Sequence, residues 1–269
     1  MNSPEGARTA HAVNILAPNP SVMTLDGTNT WVVGAGESVI VIDPGPLDEI
    51  HLRRVAAHVG DRRVESILLT HGHDDHSGGA RRFAELTGAP VRAADPRHRL
   101  GEEGLAEGDV VAVGDAELHV YATPGHTFDS VCLWLPHDRA LFTGDTVLGR
   151  GTTVIAPEGD LADYLRTLDR LRELVGSLAA DVLLPGHGPV VADPEAVVAA
   201  YVAHRRERLA QIRAAQALGA VTPREVVEIV YADVDRTLWP AAEMSVRAQL
   251  AYLEGRSEAP VEGRLRGHL

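Results

Sequence analysis

The sequence predicts an α/β fold of stacked sheets and helices, followed by a small C-terminal helical module. Three observations carry this. Short apolar runs of strand length alternate with amphipathic helical stretches up to about residue 192. The loops that end those strands are rich in Gly, Pro and His. From residue 193 the character changes to a run of capped helices. A chain of 269 residues, 45% hydrophobic, suits one large domain plus one small one. With aromatics at 4%, Val, Leu, Ile and Ala must fill most of the core.

Residues 31–42, "WVVGAGESVIVI", read as a β-hairpin about a Gly-containing turn, stopped by the "DPGP" that follows. Leu47, Ile50, Val55 and Val59 recur at helical spacing among charges, which predicts a helix over 47–59. "VESILLT" (64–70) is a short buried strand. Ser77 to Leu86 follows as a helix, with Gly88 at its C′ position. "LHVYATPGHT" (118–127) and "SVCLWL" (130–135) read as strands, "LPHDRALFTGDT" (135–146) as a turn plus strand, and "DVLLPGHG" (181–188) as a strand ending in a loop. Between the last two, Leu161, Tyr164, Leu165, Leu168, Leu171 and Val175 line one side of an amphipathic helix.

In the C-terminal part, Asp193 is an N-cap with Pro194 in the first turn, and Thr222 with Glu225 forms a capping box. A third helix spans about 240–254 and ends at Gly255; "VEGRLR" (261–266) suits a small hairpin. These signals divide the chain into an α/β body, 1–200, and a C-terminal module of helices and a wing, 201–269.

The net charge of −13 argues against a general nucleic-acid binder, which needs a basic surface. The acidity belongs to the first 200 residues; the remainder holds 10 Arg against 9 Asp and Glu. Every basic residue is Arg. The single cysteine, Cys132, rules out an intramolecular disulfide and sits in a run that suits a buried core thiol. No signal-peptide core and no run near the ~18 apolar residues of a membrane span are present, so a cytoplasmic location and no membrane partner are expected.

The chemistry is concentrated in "LLTHGHDDHSGG" (68–79). His71 and His73, at i and i+2 on a strand end, can aim both rings the same way. Asp75 and His76 fall at the turn into the next helix, so this reversing segment can face two metals. Imidazole and carboxylate suit Zn²⁺, and also Mn or Fe. Three later strand ends each add one candidate ligand: His126 in "TPGHT", Asp145 in "FTGDT" and His187 in "LPGHGP", each with Gly before it. Asp74 is expected to face outward. His11, His51, His58, His98, His119, His137 and His268 lie outside the pattern and read as surface or packing residues.

The order His-x-His-x-Asp-His, then His, Asp and His, resembles the metallo-β-lactamase superfamily of four-layer αβ/βα sandwich hydrolases. "IDPG" (42–45) resembles its first motif, whose Asp, here Asp43, supports the site without ligating. The resemblance implies that His71, His73 and His126 hold one metal and that Asp75, His76 and His187 hold a second. Asp145 would bridge the two. Class B1 β-lactamases carry Cys in place of Asp145 and lack His76, which argues against antibiotic hydrolysis. Glyoxalase II shares most motifs but usually continues "TPGHT" with Gly-His, where this chain has Phe128-Asp129.

"GDTVLGRGTTVIAP", "LADYLRTLDRL", "LLPGHGPVV" and "YVAHRRERLAQI" resemble the lactamase-β-like protein 2 family, which also ends in a winged-helix-like module. That family includes a single-strand-selective endoribonuclease, and fungal polyketide thioesterases are similar. The expectation is a dinuclear zinc hydrolase with Asp75 and Asp145 as catalytic carboxylates and a metal-bridging hydroxide as nucleophile. Its substrate would be single-stranded RNA or, alternatively, a small ester, thioester or lactone. Substrate-gripping candidates are Arg150, Thr152 and Thr153 in "GRGTT", with Tyr201, His204, Arg205 and Arg208 on the following helix, where i, i+4 pairs share a face.

Overall fold

The strand-like runs assemble into two mixed five-stranded sheets in the computed structural model, which describes residues 6–255 apart from 102 and 156. The first sheet runs β1 (Ala12–Leu16), β2 (Asn29–Val33), β3 (Ser38–Ile42), β4 (Arg63–Leu68) and β5 (Val91–Arg92) in sequence order. Its first three strands are antiparallel, and β4 and β5 join in parallel. Parallel neighbours need crossovers. These are α1 (Glu49–Val59), and α2 (Asp74–Ser77) with α3 (Ala80–Thr87).

The second sheet contains β6 (Val110–Val113), β7 (Ala116–Ala122), β8 (Val131–Leu135), β9 (Ala140–Gly144) and β10 (Val182–Pro185), ordered β10-β9-β8-β7-β6. Only the β9–β10 pair is parallel, and α4 (Leu161–Ser177) makes that crossover.

Period-2 alternation gives each sheet two apolar faces. Trp31, Ile40, Ile42 and Leu68 meet Leu118, Val120, Leu133, Phe142 and Leu184 between the sheets. Trp31 and Phe142 pack edge to face, with ring centroids 5.7 Å apart. On the outer face of the first sheet, Val39, Val41 and Ile67 lie under Leu52, Val55 and Phe83. On the other side, Cys132, Trp134 and Leu141 lie under α4 and the first half of α5 (Pro194–Ala217), through Leu168, Leu171, Val198 and Tyr201. The result is the expected helix–sheet–sheet–helix sandwich. Cys132 is buried, and burial pushes its thiol up to about 11, as fits a core residue.

The second half of α5 packs Ile212 and Ala215 against α6 (Pro223–Val230) and α7 (Trp239–Leu253), through Val226, Val227, Val246 and Leu250. The Thr222–Glu225 capping box is formed. The hairpin expected at 261–266 and His268 lie outside the described residues. Among the described residues, no helix is long and apolar enough to cross a membrane.

Two local expectations are corrected. Helix α1 starts after Asp48, whose side chain caps it by accepting from the His51 N–H. This rotation leaves Leu47 71% and Ile50 80% exposed and buries His51 instead. His51 tolerates burial because its Nε2 lies 2.9 Å from Thr30 Oγ1. The helix expected over 77–86 is broken at Gly78–Gly79. There the backbone approaches residues 45–46 so closely that a Cβ on Gly79 would sit 2.8 Å from the Pro46 carbonyl oxygen.

Phe142 fills the space between the sheets, so Phe142→Ala should cost about 3–5 kcal/mol, read as a lower denaturation midpoint. A loss under ~1 kcal/mol would contradict the inter-sheet core described here.

Candidate metal centre

The cluster is assembled from strand ends. Asp43 follows β3, His71 and His73 follow β4, His126 follows β7, Asp145 follows β9 and His187 follows β10. His73 is the residue that caps α2, so Asp75 and His76 fall in the helix's single turn. Asp74 points to solvent, as expected.

Asp43 is buried and holds a left-handed backbone, φ 49°. A non-glycine residue there is strained by about 1–3 kcal/mol. Its carboxylate is fixed by three donors: the Thr70 N–H at 2.8 Å, the Thr70 hydroxyl at 2.6 Å and His76 Nδ1 at 2.8 Å.

These contacts, with others behind the cluster, decide the tautomers. His126 Nδ1 lies 2.9 Å from the Val154 carbonyl, and His187 Nδ1 lies 3.1 Å from the Gly27 carbonyl. A carbonyl can only accept, so both nitrogens donate. His76 Nδ1 donates to Asp43. The Thr70 hydroxyl spends its hydrogen on Asp43, so at 3.1 Å it accepts from His71 Nδ1. In the neutral rings, Nε2 of His71, His76, His126 and His187 is left as a bare lone pair.

Those lone pairs face one another. His71 Nε2 and His126 Nε2 each lie 3.1 Å from His73 Nδ1, and His76 Nε2 lies 3.2 Å from His187 Nε2. Asp75 Oδ2 approaches His187 Nε2 at 3.1 Å. Asp145 sits between the groups, with Oδ2 3.3 Å from His187 Nε2 and 3.7 Å from His126 Nε2, and Oδ1 3.5 Å from His76 Nε2. Asp145 Oδ1 is buried without a hydrogen-bond partner among the described residues. Gly186 makes this packing possible, since a Cβ there would lie 2.6 Å from Asp145 Oδ1 and 2.7 Å from His76 Cε1.

Three overlapping groups, His71–His73–His126, His71–His76–Asp145 and Asp75–His76–His187, each gather their ligand atoms within 4.8 Å. Converging lone pairs with an orphaned carboxylate oxygen fit divalent cations, which neutralise both. The electrostatics differ across the cluster. Burial drives His126 down to about 4, although Asp145 opposes it. Burial, and then the neighbouring imidazoles, push His71 well below the ordinary range. His76 and His187 are also pushed down by burial, but carboxylates outweigh it: Asp75, Asp145 and Asp43 hold His76 up at about 9, and Asp145 and Asp75 hold His187 high. Asp75 and Asp145 stay ionised against burial because these imidazoles face them.

The substrate-gripping candidates are dispersed. Arg150 is exposed and paired with Asp26 by two hydrogen bonds. Thr152 is partly buried, whereas Thr153 is buried behind His126, its Oγ1 3.1 Å from Nδ1. The buried Tyr201 hydroxyl accepts from the Leu148 N–H at 2.9 Å. His204 is partly buried, its Nδ1 without a partner among the described residues. Arg205 is buried against Tyr164, and Arg208 stacks on Tyr231 with 4.3 Å from Cζ to the ring centroid. Thr70 and Tyr164, whose hydroxyl donates to the Thr146 carbonyl at 2.7 Å, also support the site. No residue pattern singles them out, because each acts on a neighbour distant in sequence or on backbone.

Comparison with known proteins agrees with this geometry. The metallo-beta-lactamase superfamily model matches residues 23–187, and that of the beta-lactamase associated winged helix domain matches 222–259. A beta-lactamase-like protein 2 homolog of Drosophila melanogaster is 34% identical over 284 residues, covering 96% of this chain and 90% of its own length. An atrochrysone carboxyl ACP thioesterase of Aspergillus chevalieri is 34% identical over 241 residues, covering 84% of this chain and 75% of its own. Among solved structures, a metallo-beta-lactamase family protein from Thermus thermophilus shares the fold with a TM-score of 0.75 at 23% identity, over 91% of this chain and 93% of that one. A strand-end cluster of this make-up, matching a family model and a relative of nearly full length, makes the chain a member of the metallo-β-lactamase superfamily of hydrolases, with a winged-helix domain at its C-terminal end.

Proposed function

We propose that this protein is a dinuclear zinc hydrolase acting on a small thioester or ester, its ligands in the catalytic domain (1–200) and its module (201–269) helping to wall the substrate. The observation that carries the metal reading is the set of ring nitrogens turned toward one another by acceptors behind the rings. His71, His73 and His126 would hold one ion, Asp75, His76 and His187 the other, with Asp145 between them. Such a pair would supply Lewis acidity and would lower the pKa of water toward neutrality.

The chain's own groups do the rest. Asp75 has a side chain 29% exposed, against 10% for Asp145. It is therefore placed to orient the attacking water and carry its proton to the leaving thiolate or alkoxide. Asp43 keeps His76 in one tautomer and one orientation.

The substrate class rests on the thioesterase among the relatives and on a cavity on the backbone side of the His126 loop, reached through Gly159. A cavity of about 210 Å³ lies there, between Ile155, Pro157, Asp160 and Leu161 on one side and Met244, Arg247, Ala248, Ala251 and Tyr252 of α7 on the other. A mostly apolar cavity suits an acyl group. Single-stranded RNA would need a basic groove between module and metals, and Arg205 and Arg208 are already engaged with Tyr164 and Tyr231. The thioesterase among the relatives supports the same reading.

Zinc-loaded protein should hydrolyse acyl thioesters or lactones, and Asp145→Ala should lose more than the ~10–100-fold that removing an outer partner costs. Cleavage of end-labelled single-stranded RNA without thioester or lactone turnover would overturn the substrate assignment. Asp43→Asn should weaken zinc binding by ~10–100-fold in a competition titration; wild-type affinity would contradict the role given to Asp43. Protons held by His76, raised to about 9, must leave as metal enters. Calorimetry in buffers of different ionisation enthalpy should therefore register proton release at neutral pH, with affinity rising as pH climbs toward 9. Binding without proton release would contradict that electrostatic picture.

A further inference from the structure

We infer that Arg205 is a positioning residue for His126, acting through the backbone of Thr153 and Val154; this rests on the metal reading above. Arg205 is 3% exposed, near the middle of the long helix α5. Its guanidinium lies over the Tyr164 ring, 5.0 Å from Cζ to centroid, and Nη2 donates to the Thr153 carbonyl. Nε has no hydrogen-bond partner among the described residues. Burying a cation on these terms is unfavourable, and an apolar side chain would pack α5 on α4 more cheaply. Two contacts single out Arg, the Tyr164 ring and the Thr153 carbonyl, and the second reaches the backbone behind His126.

That carbonyl belongs to the peptide joining Thr153 to Val154. Val154 turns its own carbonyl to His126 Nδ1 at 2.9 Å, and Thr153 Oγ1 lies 3.1 Å from the same nitrogen. Both acceptors that fix the His126 tautomer thus sit on two consecutive residues, and Arg205 anchors the peptide between them. Neighbouring groups hold the Asp145 loop in the same way: Tyr201, one turn earlier on α5, accepts from Leu148 N–H, and Tyr164 donates to the Thr146 carbonyl. The helix layer therefore sets the site from behind. Without Arg205 the 153–154 peptide can turn, and His126 can take the tautomer that puts a hydrogen on Nε2.

The test compares wild type with Arg205→Met and Arg205→Lys. Nitrogen-15 NMR of the metal-free proteins reads the His126 tautomer, zinc titration reads each metal equivalent, and circular dichroism checks the fold. Wild-type His126 should carry its hydrogen on Nδ1. Arg205→Met should give mixed tautomers and weaken one zinc equivalent by ~10–100-fold while sparing the other. Arg205→Lys, which returns a single donor without the planar fork, should fall between. A variant set with lower thermal stability but unchanged tautomer and zinc affinities would overturn the proposal and leave Arg205 a packing residue. Should Arg205→Met fail to fold, Arg205→Lys decides on the same two readouts. If wild type binds no zinc the metal reading falls, and the tautomer comparison still judges Arg205 separately.

Discussion

The carboxylate of Asp43 is the point from which the site is built. It lies past the end of β3, in a backbone conformation that costs energy, and it is held there by the N–H and hydroxyl of Thr70 and by His76. Through Thr70 it fixes the strand end that carries His71, and through His76 it fixes the turn into α2. A single buried carboxylate thus sets the orientation of rings that belong to both ligand groups. Burial makes each of these hydrogen bonds stronger and their loss more costly than at a surface.

The rest of the cluster follows the same logic with backbone acceptors. His126 and His187 are oriented by the carbonyls of Val154 and Gly27, from loops far away in sequence. Orientation comes from the protein's own acceptors, as precise ligand geometry requires. Carboxylates are concentrated on the Asp75–His76–His187 side, where they hold imidazole protons. The His71–His126 side is nearly free of them and is neutral through burial. A cation on the first side would have to replace protons, whereas on the second it would meet lone pairs already bare.

Most of the architecture is legible in the sequence because it rests on local patterns. The strand-like runs around 31–42 and 130–135, the amphipathic spacing of Leu161 to Val175 and the Thr222–Glu225 capping box all report the element that forms there. Two-residue β5 has too little sequence to signal itself, and β1 pairs with β2 across the long segment 17–28, whose Asn19-Pro20 and Asp26-Gly27 mark turns without telling which strands they join. Periodicity misreads the face of α1 because the buried polar His51 finds its partner, Thr30, on a strand well upstream, which no helical spacing encodes. The histidines and carboxylates of the cluster are legible because their types recur at strand ends. Roles of Thr70, Tyr164 and Arg205 depend on which group each one meets, and that is decided only when the sheets and the α4 and α5 layer pack together.

We propose that these rings and carboxylates form a two-ion site. Crystals of zinc-loaded protein, measured on both sides of the zinc absorption edge, test it most directly. Two anomalous peaks per chain are expected, one among His71, His73 and His126 and one among Asp75, His76 and His187, both in contact with Asp145. A single peak, or density for zinc elsewhere with the cluster empty, would contradict it.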